Sequence, residues 1–368
     1  MKTALSQPKR NLINGRQIAL AAACLLPAGK LLEAPSILAK YAAGDLLLPA
    51  FLHFLFQGGI LFLLLRAVSR SEKTLFERLE ARLGKWSSLV YLALAVYYLF
   101  NAVLPLFDME KFTYEAFFDT APTTFSFLFF FIFSAFMCTK PLNVLGRASD
   151  LCLFLYLIPF ILLLAMGFFS ADFSHLLPLF EKGFGDTVSA LKYTTPHFSD
   201  ALLLLPLLGN LRYKKGDTVK ILSGYGIGAF GSLLFFATFF GIFSSIAPRE
   251  HYAFSKIAQH FPTLDTIGRF DLLFVYMLTI VLLFFTVMPL QFITDLSARA
   301  VGFQQKALFS ALLNGGLLLL LLFCNKFYNT VYTLFSGKLS FVYWVSTLIF
   351  TLFFILLPAF SKKEESRA

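Results

Sequence analysis

The chain has little charge for its length, and that scarcity excludes most of what 368 residues could be. Charged residues make up 14% of the sequence and hydrophobic ones 58%. A soluble protein of this size exposes far more charge and interrupts its apolar runs more often. Cysteine is scarce too. Cys24, Cys138, Cys152 and Cys324 fall in or at the ends of apolar runs with no C-x-x-C pair, so neither a disulfide framework nor a metal site is implied. No loop is long enough to form a separate domain, and no catalytic cluster gathers on one side, which argues against an enzyme and against a cofactor. The first apolar run is too long for a cleaved signal peptide and lacks an A-x-A-like exit, so it is expected to stay attached.

What the sequence does have is a succession of apolar runs of about 20 residues, the signature of transmembrane helices. The expected fold is all-α: one polytopic membrane domain over residues 1–368 with ten spans. These are Gln17–Ala39, Leu46–Arg66, Ser87–Phe107, Pro122–Cys138, Asp150–Phe169, His197–Leu211, Ile221–Ala247, Asp271–Thr294, Ala307–Phe323 and Ser340–Phe360. The net charge of +10 is a topology signal. With the N-terminus inside, 21 of the 31 Lys and Arg residues fall on inner segments and nine on outer ones, with Lys30 inside a span. The positive-inside rule then puts both termini in the cytoplasm.

Two spans are interrupted by Pro and Gly. The first carries Pro27 and Gly29 in mid-span with Pro35 beyond, and the short sixth span carries Pro206 and Gly209. A proline removes a backbone donor and clashes with the preceding turn, and in hydrocarbon the freed groups are tolerated only inside protein or against a cavity. Ten spans divide as five plus five, and an odd number per half makes the second half an inverted repeat (about 17–170 and 196–360). Spans one and six are then counterparts, and matched breaks of this kind point to a binding site at the bilayer midplane.

Charges beside the first break are the most unusual feature. Lys30 and Glu33 are three residues apart, a spacing that pairs side chains on one helical face, and an unpaired charge at that depth is costly; the alternative is that both lie near the outer surface and snorkel. Asp200 opens span six, where capping is the commoner use of Asp; the alternative is a group facing Lys30 across a cavity. Asp295 and Arg299 are spaced to pair at i,i+4. His53 reads as a buried neutral histidine bonded to a neighbouring helix. Residues 69–85 hold Leu75, Leu79 and Leu83 on one face and charge on the other, an amphipathic helix for the inner leaflet. Leu176–Phe180 and Tyr252–Phe261 are apolar enough for short interfacial helices on the outer side, with partly ordered loops the equal alternative. Gly224, Gly228 and Gly231 form a small-residue packing face. The His260-x4-Asp265 spacing matches an acyltransferase pair, but Pro262 interrupts it and no phosphate-binding stretch accompanies it.

The chain resembles the endospore germination permeases, the B subunits of nutrient germinant receptors, within the amino acid–polyamine–organocation superfamily. The resemblance rests on 15–30 (GRQIALAAACLLPAGK), 83–103 (LGKWSSLVYLALAVYYLFNAV), 145–150 (LGRASD), 199–215 (SDALLLLPLLGNLRYKK) and 266–280 (TIGRFDLLFVYMLTI). It departs from the family where a Gly-rich segment is replaced by Leu-Pro-Ala-Gly-Lys in span one. It implies a ten-helix fold of the leucine-transporter type with broken helices 1 and 6. It further implies sensing of a small nutrient, an amino acid, in complex with receptor A and C subunits in the spore inner membrane. The expected ligand-binding residues are Pro27, Ala28, Gly29, Lys30, Glu33, Asp200, Pro206 and Gly209. The competing expectation is a proton-coupled amino acid transporter on the same fold.

Overall fold

In a computed structural model, which describes residues 12–117, 123–177, 183–261, 271–302, 305–324 and 327–357, the predicted apolar stretches form helices. Six helical stretches are long and apolar enough to cross a membrane: 34–68, 75–117, 142–170, 217–249, 271–301 and 306–324. A bent pair, 328–338 with 340–356 at 48°, would make a seventh. No strand forms among the described residues; one isolated parallel bridge joins Ile13 to Leu211. Among the described residues the protein is therefore an all-helical membrane protein with six full-length candidate spans, and the remaining apolar stretches described are shorter, bent or broken helices.

The first span is α1 (Gly15–Ala28) followed, after a bend, by α2 (Ala34–Ala42). Span two is α3 (Leu47–Val68). The inner connection holds α4 (Leu75–Leu83), opened by a capping box in which Glu77 N donates to Thr74 Oγ1 and Thr74 N to Glu77 Oε2. There follow α5 (Ser87–Phe117), α6 (Thr123–Cys138), α7 (Leu142–Ser170) and an outer helix α8 (Phe184–Thr194). The stretch expected as the sixth span is split into α9 (Asp200–Leu203) and α10 (Leu205–Gly209). The rest is α11 (Asp217–Phe243), the outer α12 (Ala253–Gln259), α13 (Asp271–Val301), α14 (Lys306–Cys324), α15 (Tyr328–Thr333) and α16 (Ser340–Leu356).

Helix pairing is regular. α5 packs on α13, α6 on α14 and α3 on α11; α1 packs on α11 and α7, while α9 packs on α3 and α16. The glycines of α11 explain one close approach. A Cβ at Gly224 would overlap the Ala19 carbonyl, and one at Gly228 would lie 2.7 Å from Ala22 O and Pro27 Cγ, so the two backbones can touch only because both positions are bare.

Several expectations shift. The break expected around Pro27–Gly29 begins at Gly29 and runs on to residue 33, while Pro27 itself stays helical. A five-residue π turn, Ala21–Leu25, widens α1 just ahead of Pro27, and Leu26 N donates to Ala21 O. That wider turn absorbs the proline without unwinding the helix, so the chain leaves helical geometry only at Gly29. Span three is longer than predicted: α5 runs to Phe117 and carries Asp108 and Glu110 as helical residues. The outer helix near Tyr252 is α12, and near Leu176 the chain makes a short 3-10 turn, Phe173–Leu176; residues 178–182 and Asp265 lie outside the described residues.

Candidate functional site

The two broken spans meet. Lys30 sits in the bend after α1, and its ammonium donates to Leu26 O at 3.1 Å and to Asp200 Oδ1 at 2.5 Å. The two side chains are 2% and 1% exposed, so this is a fully buried ion pair joining span one to span six. Asp200 Oδ2 accepts from the Tyr225 hydroxyl of α11 at 3.2 Å, and the rings of Phe54 and Phe198 flank the Lys30 ammonium at 5.8 and 5.4 Å. Capping, the commoner role, is not the one Asp200 has: it is the first residue of α9, and its carboxylate points across the helix junction to Lys30.

The expected Lys30–Glu33 pair is replaced by two longer-range ones. Residues three apart face each other only on a continuous helix, and residues 29–33 are bent. Glu33 instead ends the bend as the residue before α2, and its Oε2 is 2.9 Å from His251 Nδ1 in the outer connection. Hydrogen bonding to Glu33 raises the His251 pKa above its usual 6.5.

Backbone groups released by the breaks are taken up by their surroundings. Lys30 N and Leu31 N donate to Pro27 O and Ala28 O, and the first amides of α12, Ala253 N and Phe254 N, donate to Leu32 O and Leu31 O. At span six, Gln57 Oε1 accepts from Ala201 N, the Tyr98 hydroxyl donates to Leu202 O at 2.5 Å, and Asn101 Nδ2 donates to Ser199 Oγ. Each is a polar side chain inside an apolar run, the signal by which sequence could have found them. His53 behaves as expected: its Nε2 is 3.1 Å from both Leu191 O and Thr194 Oγ1, and its ring stacks on Phe198.

The predicted site residues divide into groups. Lys30 and Asp200 are in contact. Gly29 faces α13, where a Cβ would overlap the Phe285 ring, and Pro27 and Ala28 are buried beneath it in α1. Pro206 and Gly209 lie further along, in α10, where α4 packs against them. Gly209 is bare so that the Phe76 ring of α4 can rest on it, and Asn210 Nδ2 donates to Pro206 O. There Arg299 binds Asp295 Oδ2 at 3.0 Å, as its spacing predicts, and also Asn210 Oδ1 at 2.7 Å and Glu80 at 3.5 Å, stacking over Phe76.

Two cavities flank the bend. A small one of about 20 Å³ is lined by Gly29, Asn101, Asp108, His197, Phe285 and Thr286, among others. An outer chamber of about 660 Å³ holds Glu33, Lys40, Lys111, Glu115, His251 and Tyr328. The first has room for about one water molecule, so the site as folded is closed. No group of three or more potential metal ligands occurs among the described residues.

No curated protein matches the chain. A family model described as spore germination protein matches residues 47–326, so it begins after the Lys30 bend and includes Asp200, Asp108 and His197. That match covers most of the chain, which belongs to the spore germination permease family.

Proposed function

We propose that the chain is the permease-like subunit of a nutrient germinant receptor and senses an amino acid where its two broken helices meet. The observation that carries this is the Lys30–Asp200 contact, which makes the bend of one span and the start of the other a single mechanical joint. Family membership supplies the germination context. The helix pairing supports a 5+5 inverted repeat of the leucine-transporter type. Numbered as spans, one packs on seven and six on two, one on five and six on ten, five on seven and ten on two. Three on eight, four on nine and two on seven are their own counterparts. Each of these pairs maps onto another, or onto itself, when five is added; the packing of five and of four on eight has no counterpart of similar extent.

In this account Pro27, Ala28, Gly29, Lys30, Glu33 and Asp200 border the ligand, and Pro206 and Gly209 let the inner end of span six hinge. The closed cavity requires the bend and α13 to part before a ligand enters, so the output is a shift between two packings instead of catalysis. The termini are cytoplasmic in the spore inner membrane, and A and C receptor subunits read that shift. A second reading, a proton-coupled amino acid transporter, is favoured by the same buried pair: a lysine and a carboxylate sharing a site with Tyr225 have the composition of an intramembrane proton relay.

Reconstituted liposomes separate the two. Labelled amino acids accumulated in response to a pH gradient would assign transport. Germination of spores carrying the chain and its partner subunits, without accumulation in liposomes, would assign sensing. Neither response would overturn both.

A further inference from the structure

The break in the first span offers a ligand less than its geometry suggests. The carbonyls of Leu26, Pro27, Ala28, Leu31 and Leu32 each already accept a hydrogen bond, the first of them from Lys30 itself. The Lys30 ammonium thus occupies the position at which a broken helix would hold a cation, and Asp200 neutralises it. The unmet demand is on the opposite wall. Asp108 Oδ1, on a residue 6% exposed, and His197 Nε2 are both buried without a hydrogen-bond partner, and both residues line the small cavity against Gly29. Buried polar atoms in native proteins are nearly always bonded, and one left unmet within a cavity marks where a partner belongs.

The partner's chemistry follows from charge and size. Asp108 is the acidic residue lining the small cavity, whereas Glu33 faces the outer chamber and is tied there to His251. Lys30, next to the cavity-lining Gly29 in sequence, is already balanced by Asp200. A cavity of about 20 Å³ accepts a group the size of one water molecule, which is the size of an –NH3+ group. The bulk of a ligand would enter by displacing the Phe285 ring that covers Gly29.

We infer that Asp108 binds the primary ammonium group of the ligand, with His197 Nε2 beside it as a second polar contact. This rests on the sensing site proposed above and adds to it the end of the ligand that is recognised and the residue on α5 that recognises it. Two ligand sources share this chemistry, an amino acid and a simple amine.

The test uses the full chain in lipid nanodiscs, with thermal unfolding followed while common amino acids, their decarboxylated amines and the matching 2-hydroxy acids are titrated. Amino acids or amines should stabilise the protein and the hydroxy acids should not. Stabilisation by amino acids alone assigns that source, and equal stabilisation by the amines assigns the simpler one. Asp108→Asn should weaken the effect at least ~tenfold, since a buried charged partner is removed, while Asp108→Glu should keep the preference for amines. The unliganded melt of each variant reports its folding; if Asp108→Asn does not fold, the amine-over-hydroxy-acid preference of the wild type and of Asp108→Glu decides. Hydroxy acids acting as well as amino acids, no stabilisation by either amine class, or a folded Asp108→Asn with wild-type response would each overturn the inference. The germination response of spores, read separately, shows whether the sensing proposal falls with it.

Discussion

Lys30 Nζ and Asp200 Oδ1 stand 2.5 Å apart, one in the bend after α1 and the other at the start of α9, 170 residues apart in the chain. Both groups are out of water, so each is tolerable because the other is there. Removing one leaves the other buried and uncompensated. Lys30→Met or Asp200→Asn alone should destabilise the protein by about 3–5 kcal/mol, and the double variant should cost less than either single change. A double-mutant cycle on unfolding in nanodiscs measures this, and simple additivity would mean that the two charges do not depend on each other.

Gly29 is bare because the Phe285 ring lies where its Cβ would be. Gly29→Leu should insert into the membrane normally, since the segment stays apolar, but should abolish the ligand response. Pairing it with Phe285→Ala makes room and should restore part of the response. A fully responsive Gly29→Leu protein would show that the bend and α13 do not meet at the site.

The outer tie between Glu33 and His251 should depend on pH. Hydrogen bonding to Glu33, together with the nearby Glu115 and Glu250 carboxylates, raises the His251 pKa above 6.5 against the opposing effect of burial. The folded-state value being the higher one, the stabilisation is fully present below about pH 6.5 and is lost as pH rises through the raised value. Melting temperature should therefore fall across that window in the wild type. His251→Gln should flatten the profile there, and an unchanged slope would remove His251 as its source.

The inner closure depends on Arg299, which holds α13, α4 and the end of span six together through Asp295, Glu80 and Asn210. Arg299→Met removes all three contacts and leaves Asp295 with Lys306. Leu211, 1% exposed and bridged to Ile13, should become reachable. A cysteine placed at Leu211 should label slowly in the otherwise wild-type protein and several-fold faster with Arg299→Met. Equal rates would assign the closure to apolar packing.

Much of this was legible in the sequence, and the failures have definite physical causes. Apolar runs fixed the helices because in hydrocarbon only a helix satisfies its own backbone. Pro27 with Gly29, and Pro206 with Gly209, marked two stretches that are interrupted, but the π turn at Ala21–Leu25 keeps Pro27 helical, and no composition signal announces a π turn. Lys30 and Glu33 stood out because charge is costly at that depth, yet their partners, Asp200 and His251, are 170 and 218 residues away. A spacing rule that assumes a continuous helix cannot supply them. Asp108 escaped notice because it follows the apolar run of span three directly and reads as the first loop residue, whereas α5 continues past it.

The central claim is that the junction of the two broken spans is where a nutrient is sensed, and germination measures it most directly. Spores in which this chain and the proposed A and C subunits form the sole nutrient receptor would be exposed to the common amino acids, and the fall in optical density followed for the wild type, Gly29→Leu and Asp200→Asn at matched membrane levels. The account predicts that the wild type responds to at least one amino acid and that both variants fail to respond to it. Variants that germinate with the wild-type rate and nutrient dependence would contradict it.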